Sequence, residues 1–272
     1  MSKNISKYLH QEMDKEAGKA HSQKRTKIVA TVGPSCDTYE GLLELVKAGV
    51  NVFRLNFSHG THEDKKAVIE KIWKIIKAEP YNISILADLQ GPKLRVGELE
   101  NGKIELTTGQ EFIFTTEKMV GNSNKIYVSY PNLCTDVKPG ERIFLDDGKM
   151  ELLVEKILND KEILVSVTLG GILLPKKGVN LPDSELTMPS LTEKDKTDLE
   201  FIFTQKIDWL ALSFVRKPID IIELKKIIRE NNSKLKVIAK IEMPEALKNL
   251  RDIIVESDGI MVARGDLGVE IP

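Results

Sequence analysis

The sequence predicts an α/β fold, an incomplete TIM-type (β/α)8 barrel that carries a small all-β barrel as an inserted lid domain. From residue 27 onward, short apolar runs alternate with segments of helical periodicity, as in β-α-β units that form a parallel sheet. Residues 91–188 instead alternate apolar and polar side chains between turn residues, which is typical of short antiparallel strands. We therefore expect an amino-terminal segment (1–24), a first barrel part (25–90), the insert (91–188) and a second barrel part (189–272).

Apolar runs mark the strands of the predicted parallel sheet. They occupy residues 27–33, 50–57, 83–89, 209–214, 236–242 and 259–265. A closed barrel of this type needs eight strands, so the first and sixth strands are expected to be open edges with apolar faces.

Capping and breaking residues mark the helices between these strands. A capping-box-like pair, Asp37 and Glu40, precedes the first helical segment, and Thr61 precedes the second. The other predicted boundary residues are Gly49, Pro80, Pro218 and Pro244.

The composition is that of a folded protein without a strong global field. Hydrophobic residues make up 41% of the chain and the net charge is -1, which argues against disorder and against recruitment of nucleic acid or an anionic membrane. No apolar run approaches the about 20 residues that cross a bilayer, and the first 24 residues are polar, so a cytoplasmic protein is expected. Cys36 and Cys134 are expected to be unpaired thiols.

Polar side chains gather at the carboxyl ends of the predicted strands. Arg54, Asn56 and Ser58 alternate with apolar residues and therefore share one face of the second strand. Further polar residues at strand ends are Asp88, Lys240, Glu242, Arg264 and Asp266. In a parallel barrel these ends meet at one mouth, where binding and catalysis occur. The alternative is that these charged residues are solvated surface residues at strand-loop junctions. That explanation would be preferred for a single strand, but it does not account for the same pattern on four strands.

The residue types at these ends favour phosphoryl transfer. Arg54, Lys240 and Arg264 are suited to anionic oxygens, whereas Glu242 and Asp266 offer the oxygen ligands that Mg²⁺ prefers. A metal between carboxylates and a substrate phosphate fits a reaction that depends on positioning and charge neutralisation.

Seven strings of the sequence, in order, are similar to one enzyme family. They are KIVATVGPS, NVFRLNFSHGTHE, ADLQGPKLRVG, KKGVNLP, LSFVRK, AKIE and MVARGDLGVE. Together they resemble pyruvate kinases from residue 25 to the end, and residues 1–24 resemble the variable helical arm of such enzymes. The resemblance implies transfer of the phosphoryl group of phosphoenolpyruvate to ADP, with Mg²⁺ or Mn²⁺ and K⁺ as cofactors, in a cytoplasmic homotetramer.

The resemblance also assigns roles at the substrate. Lys240 corresponds to the lysine that contacts the transferring phosphoryl group, and Arg54 to the arginine that grips the phosphate. Glu242 and Asp266 correspond to the ligands of the divalent metal. Gly265 and Asp266, expected at the start of a helix, correspond to residues whose backbone N–H groups contact the substrate carboxylate. The residues that correspond to substrate contacts are Arg54, Ser213, Lys240, Arg264, Gly265 and Asp266, and those that correspond to nucleotide contacts are Asn56, His59, Arg95 and Lys177.

One departure concerns the monovalent cation. Asn56, Ser58, Asp88 and the carbonyl of Leu89 correspond to the family's K⁺ site, but Lys93 stands where many members have glutamate. Our hypothesis is that the Lys93 ammonium replaces the charge of K⁺. The alternative is an exposed lysine that tolerates the change.

The family also has segments that this sequence does not contain. These are two further barrel strands, a threonine-bearing segment that helps complete the substrate pocket and a carboxyl-terminal regulatory domain. Residues 1–272 by themselves are therefore expected to show little or no turnover. Two other hypotheses remain: another barrel acting on phosphoenolpyruvate or pyruvate, such as a metal-dependent lyase or phosphate dikinase, and a non-catalytic fragment that binds a partner.

Overall fold

Residues 25–271 are described by a computed structural model, and the predicted helical arm (1–24) lies outside them. The strands in chain order are β1 Ile28–Thr31, β2 Val50–Asn56, β3 Ser84–Asp88, β4 Ile104–Leu106, β5 Glu111–Thr115, β6 Lys125–Tyr127, β7 Arg142–Leu145, β8 Met150–Ile157, β9 Glu162–Leu169, β10 Gly171–Leu173, β11 Val179–Asn180, β12 Trp209–Leu212, β13 Lys236–Ile241 and β14 Gly259–Val262. The helices are α1 Tyr39–Lys47, α2 His62–Ala78, α3 Leu133–Asp136, α4 Glu193–Phe203, α5 Pro218–Glu230, α6 Pro244–Lys248, α7 Leu250–Glu256 and α8 Arg264–Glu270, with a 3-10 turn at Glu100–Gly102.

The six strands predicted for the parallel sheet are confirmed. They form one sheet in the order β1-β2-β3-β12-β13-β14, and the pairs β1–β2, β2–β3 and β3–β12 are parallel. The register sets Arg54 opposite Thr31 on one side, and it pairs Asn56 with Asp88 on the other. Polar side chains from three strands are thereby brought together at one end of the sheet.

The edge strands of this sheet carry exposed apolar side chains, as predicted. On β1, Ile28 and Val29 are 43% and 49% exposed, and on β14 Ile260 and Val262 are 41% and 55% exposed.

Helix boundaries follow local capping chemistry. The α2 helix has the predicted start, because Thr61 and Asp64 form a complete capping box, and it ends at Ala78 ahead of Pro80. The α1 prediction was wrong in its cap: Thr38, not Asp37, is the N-cap, and its side chain accepts a hydrogen bond from Gly41 N. Thr38 provides the same type of oxygen one residue later, so the helix still begins within the predicted segment.

The insert consists of two sheets with their own core. Its larger sheet has the order β11-β7-β8-β9-β5-β6, and β4 pairs with β10 in a second sheet. The pairing is antiparallel as predicted, except that β5 and β6 are parallel. The backbone of Leu106 passes so close to Gly170 that a side chain would not fit there, since a Cβ at this position would lie 2.4 Å from Leu106 O. Fully buried core side chains include Phe114, Ile126, Val128, Leu133, Ile143, Leu145, Leu152, Ile163 and Val165.

Within the described residues the chain forms two compact units. The first comprises 25–90, 193–211 and 225–238, and the second comprises 91–192, 212–224 and 239–271. The first is packed around buried side chains such as Leu42, Phe53, Ile72, Ile75 and Ile85. No helix among residues 25–271 combines the length and the apolar character that a membrane span requires.

Candidate functional site

A buried lysine and glutamate form the centre of the candidate site in the second unit. Lys240 lies next to the end of β13, and its Nζ donates to Ser213 Oγ at 2.7 Å and pairs with Glu242 Oε1 at 2.9 Å. Lys240 is 9% exposed and Glu242 only 1% exposed. Lys240, Glu242 and Ser213, which were all predicted site residues, therefore form one hydrogen-bonded group of side chains.

Glu242 is also held by a backbone donor that the sequence did not reveal. The N–H of Phe214 donates to Glu242 Oε2 at 2.7 Å, and Phe214 has a positive φ of 54°. A bulky residue rarely adopts this left-handed conformation, which costs energy and occurs often at functional sites. The backbone after β12 is thus shaped to support the Glu242 carboxylate.

Burial raises the pKa of Glu242, and the nearby charge of Asp266 raises it further. The Lys240 ammonium and the Phe214 N–H oppose this shift by stabilising the carboxylate. The Glu242 carboxylate is therefore stabilised by a nearby cation, because a positive charge offsets both its desolvation and the repulsion from Asp266.

Arg264, Gly265 and Asp266 lie in the first turn of α8. The expected helix start at Gly265 and Asp266 is therefore confirmed, whereas the placement of Arg264 and Asp266 at the end of the sixth strand was wrong. The sixth strand ends at Val262, Ala263 is the N-cap, and α8 begins at Arg264. The alternating period of a strand therefore does not apply to Arg264 and Asp266. The strand end was placed too late because the string Val262-Ala263-Arg264-Gly265 fits the end of a strand as well as the first turn of a helix.

The two carboxylates are chemically suited to serve as ligands of a divalent metal. Glu242 and Asp266 supply hard oxygen atoms, which Mg²⁺ prefers, and Mg²⁺ commonly uses one or two carboxylates plus substrate phosphates. In the part of the chain that the structure describes, no group of three or more His, Cys, Asp or Glu side chains could hold a metal ion.

A second buried glutamate lies near this group and was not predicted. Glu270, on α8, is 4% exposed; its Oε1 accepts a hydrogen bond of 2.6 Å from Asn180 Nδ2, and its Oε2 has no hydrogen-bond partner. Burial raises the pKa of Glu270 to about 7, with smaller contributions from Asp266 and Asp183. No local sequence feature distinguishes this glutamate from a solvated residue at the end of a helix.

Lys93 lines a small cavity together with Glu270. The cavity has a volume of about 30 Å³, and Asp147, Asn180 and Asp266 also line it. Lys93 is half-buried rather than fully exposed. The hypothesis that Lys93 replaces K⁺ stays a prediction.

The predicted nucleotide contacts of the insert are held by local partners. Arg95 Nη1 donates to Lys176 O at 2.8 Å, and Lys177 Nζ pairs with Asp146 Oδ1 at 2.8 Å. Asp146 is buried and also pairs with Lys149 at 2.8 Å. These contacts restrict both side chains before any ligand binds.

Arg54 and Asp88 form the main ion pair of the first unit's polar end. Asp88 Oδ2 accepts from Arg54 Nε at 2.6 Å and from Nη2 at 2.5 Å, while Arg54 Nη1 donates to Thr31 Oγ1 at 2.7 Å. Asp88 is 1% exposed, whereas the Arg54 side chain is 25% exposed. The guanidinium is thus anchored by a buried carboxylate but remains accessible to an anion.

A cavity of about 590 Å³ lies beside the loop that follows β2. Asn56 and His59 line it, as do Lys65 and Lys71 from α2. Asn56 Oδ1 accepts a hydrogen bond of 2.9 Å from Ser58 N, so the loop begins with an Asx turn. The predicted pair Asn56 and His59 therefore faces one cavity, whose volume lies within the usual range for small-molecule sites.

The predicted K⁺ ligands also lie in the first unit. Asn56 pairs with Asp88 in the register of β2 and β3, and Leu89 N donates to Ala211 O at 3.0 Å. That Arg54 meets Lys240, Glu242 and Asp266 around one pocket stays a prediction of the sequence.

Comparisons with known proteins agree on one family. Residues 23–272 match the family model described as pyruvate kinase, barrel domain. The pyruvate kinases of Staphylococcus aureus strains MRSA252 and USA300 are each 43% identical to the chain over 250 residues, which is 92% of this chain and 43% of theirs. A crystal structure of a pyruvate kinase from Cryptosporidium parvum matches with a TM-score of 0.88 at 40% identity, covering 93% of this chain and 53% of that chain.

These matches confirm the predicted fold class, an α/β incomplete barrel with an inserted β domain. The chain spans about half the length, or less, of the relatives that it matches.

Proposed function

The chain belongs to the pyruvate kinase family, and on this premise we propose that the protein transfers the phosphoryl group of phosphoenolpyruvate to ADP, giving pyruvate and ATP. The observation that carries the proposal is the buried group of Lys240, Glu242 and Ser213. Burying an ion pair seldom adds stability compared with apolar residues of similar volume. A buried charged pair is therefore better explained by chemistry than by folding.

Lys240 is the group that would neutralise charge on the transferring phosphoryl oxygens and on the enolate that forms. Its ammonium is kept in place by Ser213 and Glu242, so little reorganisation is needed when charge develops. Arg54 would hold the phosphate, because its guanidinium is anchored on Asp88 and remains partly exposed. Arg264, Gly265 and Asp266 would contact the substrate, with the Gly265 and Asp266 N–H groups directed to its carboxylate.

Glu242 and Asp266 would hold Mg²⁺ or Mn²⁺. When bound, the metal supplies charge neutralisation and a template for the substrate oxygens. The raised pKa of Glu242 supports this assignment, because a carboxylate buried beside another acid gains most from a nearby cation.

The 590 Å³ cavity beside the β2–α2 loop is proposed to take ADP. The proposal rests on Asn56 and His59, which line it; Lys65 and Lys71 also line it, beside Asp37 and Asp64. Arg95 and Lys177 would contribute further contacts from the insert.

Family membership also supports proposals for the cation, the assembly and the location. Asn56, Ser58, Asp88 and Leu89 are the proposed K⁺ ligands, with Lys93 as a replacement for the ion. The proposal includes a cytoplasmic homotetramer whose partners are phosphoenolpyruvate and ADP or ATP, with no role in binding nucleic acid or membranes.

A coupled assay with phosphoenolpyruvate, ADP and Mg²⁺ tests the reaction in the full-length protein. We expect turnover in the unaltered protein and a loss of about 100-fold or more in kcat for Lys240→Arg, which keeps the charge beside Glu242 but changes its geometry. Lys196→Met serves as the control, because Lys196 forms an exposed pair with Glu193 on α4. Absence of turnover in the unaltered protein rejects the proposal.

The same assay separates the other hypotheses. A phosphate dikinase or lyase would not show phosphoryl transfer from phosphoenolpyruvate that depends on ADP. Residues 1–272 assayed in parallel are expected to show little or no turnover. If the chain is a non-catalytic fragment that binds a partner and has lost the substrate site, calorimetric titration should show no binding of Mg²⁺ and phosphoenolpyruvate.

A further inference from the structure

A lysine on α4 reaches the loop that carries the proposed nucleotide contacts. Lys194 Nζ donates a hydrogen bond of 2.7 Å to the carbonyl oxygen of Phe57. Phe57 stands between Asn56 and Ser58, directly after β2. The ammonium therefore fixes the backbone at the first residue beyond the strand, and none of the family assignments above includes this lysine.

A single buried carboxylate joins this lysine to the other end of the loop. Asp198 is 3% exposed; its Oδ2 accepts from Lys194 Nζ at 2.7 Å, and its Oδ1 lies 2.7 Å from His62 Nε2. His62 is the first residue of α2, so the contacts of Asp198 bracket residues 58–61. Both ends of the segment that carries His59 are thus held by the same helix, α4.

Ring packing strengthens the attachment. The His62 ring stacks on Phe201 of α4, with centroids 4.4 Å apart and an interplanar angle of 7°. Phe57 is 3% exposed, and its ring centroid lies 6.3 Å from that of Phe201. Because apolar and polar contacts act on the same two loop ends, the loop cannot shift without breaking several interactions at once.

The held segment separates two openings of the first unit. Asn56 and His59 line the 590 Å³ cavity, whereas His62, Lys194 and Asp198 line a cavity of about 220 Å³. Gly60, with a positive φ of 75°, lines both. The residues that hold the loop therefore line the smaller cavity, whereas the proposed nucleotide contacts line the larger one.

We propose that Lys194 and Asp198 are positioning residues for nucleotide binding, holding residues 57–62 so that Asn56 and His59 face the ADP cavity. The inference rests on the proposed function, in which this cavity takes ADP. A loop that is ordered before binding does not lose conformational freedom when the ligand arrives, so affinity for the nucleotide is higher. The effect should concern ADP and not phosphoenolpyruvate.

Steady-state kinetics of the full-length protein test the inference with Lys194→Met and Asp198→Asn. We expect KM for ADP to rise about tenfold, with KM for phosphoenolpyruvate changed less than about twofold. Lys194→Arg should recover most of the affinity, since it keeps a cationic donor near Phe57 O and Asp198. Lys196→Met is the matched control on the same helix, because its partner Glu193 is exposed, and it should leave both constants unchanged.

A role confined to folding would give a different result. Variants that unfold at lower urea concentration but keep the KM for ADP, or that raise both KM values equally, would overturn the inference. If Asp198→Asn does not fold, His62→Gln provides a milder change that retains a donor to Asp198.

Binding of Mg-ADP without phosphoenolpyruvate separates this inference from the proposed reaction. Calorimetry should show weaker ADP binding in Lys194→Met than in Lys196→Met even if the unaltered protein has no turnover. In that case the positioning role stands and the proposed reaction fails. Equal ADP affinity of the two variants rejects the positioning role.

Discussion

Asn180 and Glu270, ninety residues apart in sequence, are joined by a hydrogen bond of 2.6 Å from the amide Nδ2 to the carboxyl Oε1. The bond connects β11 of the insert with α8, the helix that carries Asp266. Because the other oxygen of Glu270 is buried without a hydrogen-bond partner, the protonated acid is favoured, and the pKa is raised to about 7.

Glu270 should make stability depend on pH. Its folded-state pKa lies above the ordinary value of 4.5, so its contribution is fully present below pH 4.5 and is lost as pH rises through about 7. We expect the unfolding free energy to fall between pH 5 and pH 8, and Glu270→Gln to reduce that fall by up to about 3 kcal/mol. Urea denaturation without added divalent metal measures it, with Glu200→Gln on exposed α4 surface as the control. The same pH slope in the unaltered protein and in Glu270→Gln would contradict the prediction.

Removing the charge of Lys240 should destabilise the second unit through Glu242. Lys240→Met takes away the cation that opposes the raised pKa of a 1% exposed carboxyl. Loss of one partner of a buried pair costs about 3–5 kcal/mol. The double variant Lys240→Met with Glu242→Gln should recover most of this stability in urea denaturation while activity stays absent. A double variant as unstable as the single one would refute the explanation.

The Arg54–Asp88 pair should show energetic coupling. Arg54 makes two contacts with one buried oxygen of Asp88. A double-mutant cycle with Arg54→Gln and Asp88→Asn is expected to give a coupling of about 1–3 kcal/mol in the unfolding free energy. The exposed pair Lys196 and Glu193 is the matched control, with an expected coupling under about 0.5 kcal/mol. Equal coupling energies in the two cycles would show that the Arg54 guanidinium does not stabilise the buried Asp88 carboxylate.

Lys93 should reduce the dependence of turnover on potassium. We expect the full-length protein to be active in a buffer that contains only a large organic cation, because the Lys93 ammonium provides a fixed positive charge. Lys93→Glu should lower activity in that buffer, and K⁺ should restore it by about tenfold or more. Strict dependence of the unaltered protein on K⁺ would refute the hypothesis.

Local sequence patterns were sufficient for the strands and for most helix boundaries. The six apolar runs are the six strands of the parallel sheet, and Thr61, Pro218 and Pro244 mark the helix starts as predicted. These features depend on neighbours along the chain, namely alternating burial and the capping of free N–H groups. The errors occurred where the local signal fits two neighbouring positions, as at Asp37 and Thr38 and at the start of α8.

By itself the sequence determined the family, the order of the elements and the residue types of the site, including Lys240, Glu242 and Arg54. Only the tertiary structure decided how these side chains are held: the Phe214 N–H on Glu242, Asn180 on Glu270, and Lys194 on the Phe57 carbonyl. Each of these contacts joins residues 28 to 137 positions apart. A hydrogen bond over such a separation depends on how the elements pack and on single backbone torsions, neither of which leaves a periodic pattern in the sequence.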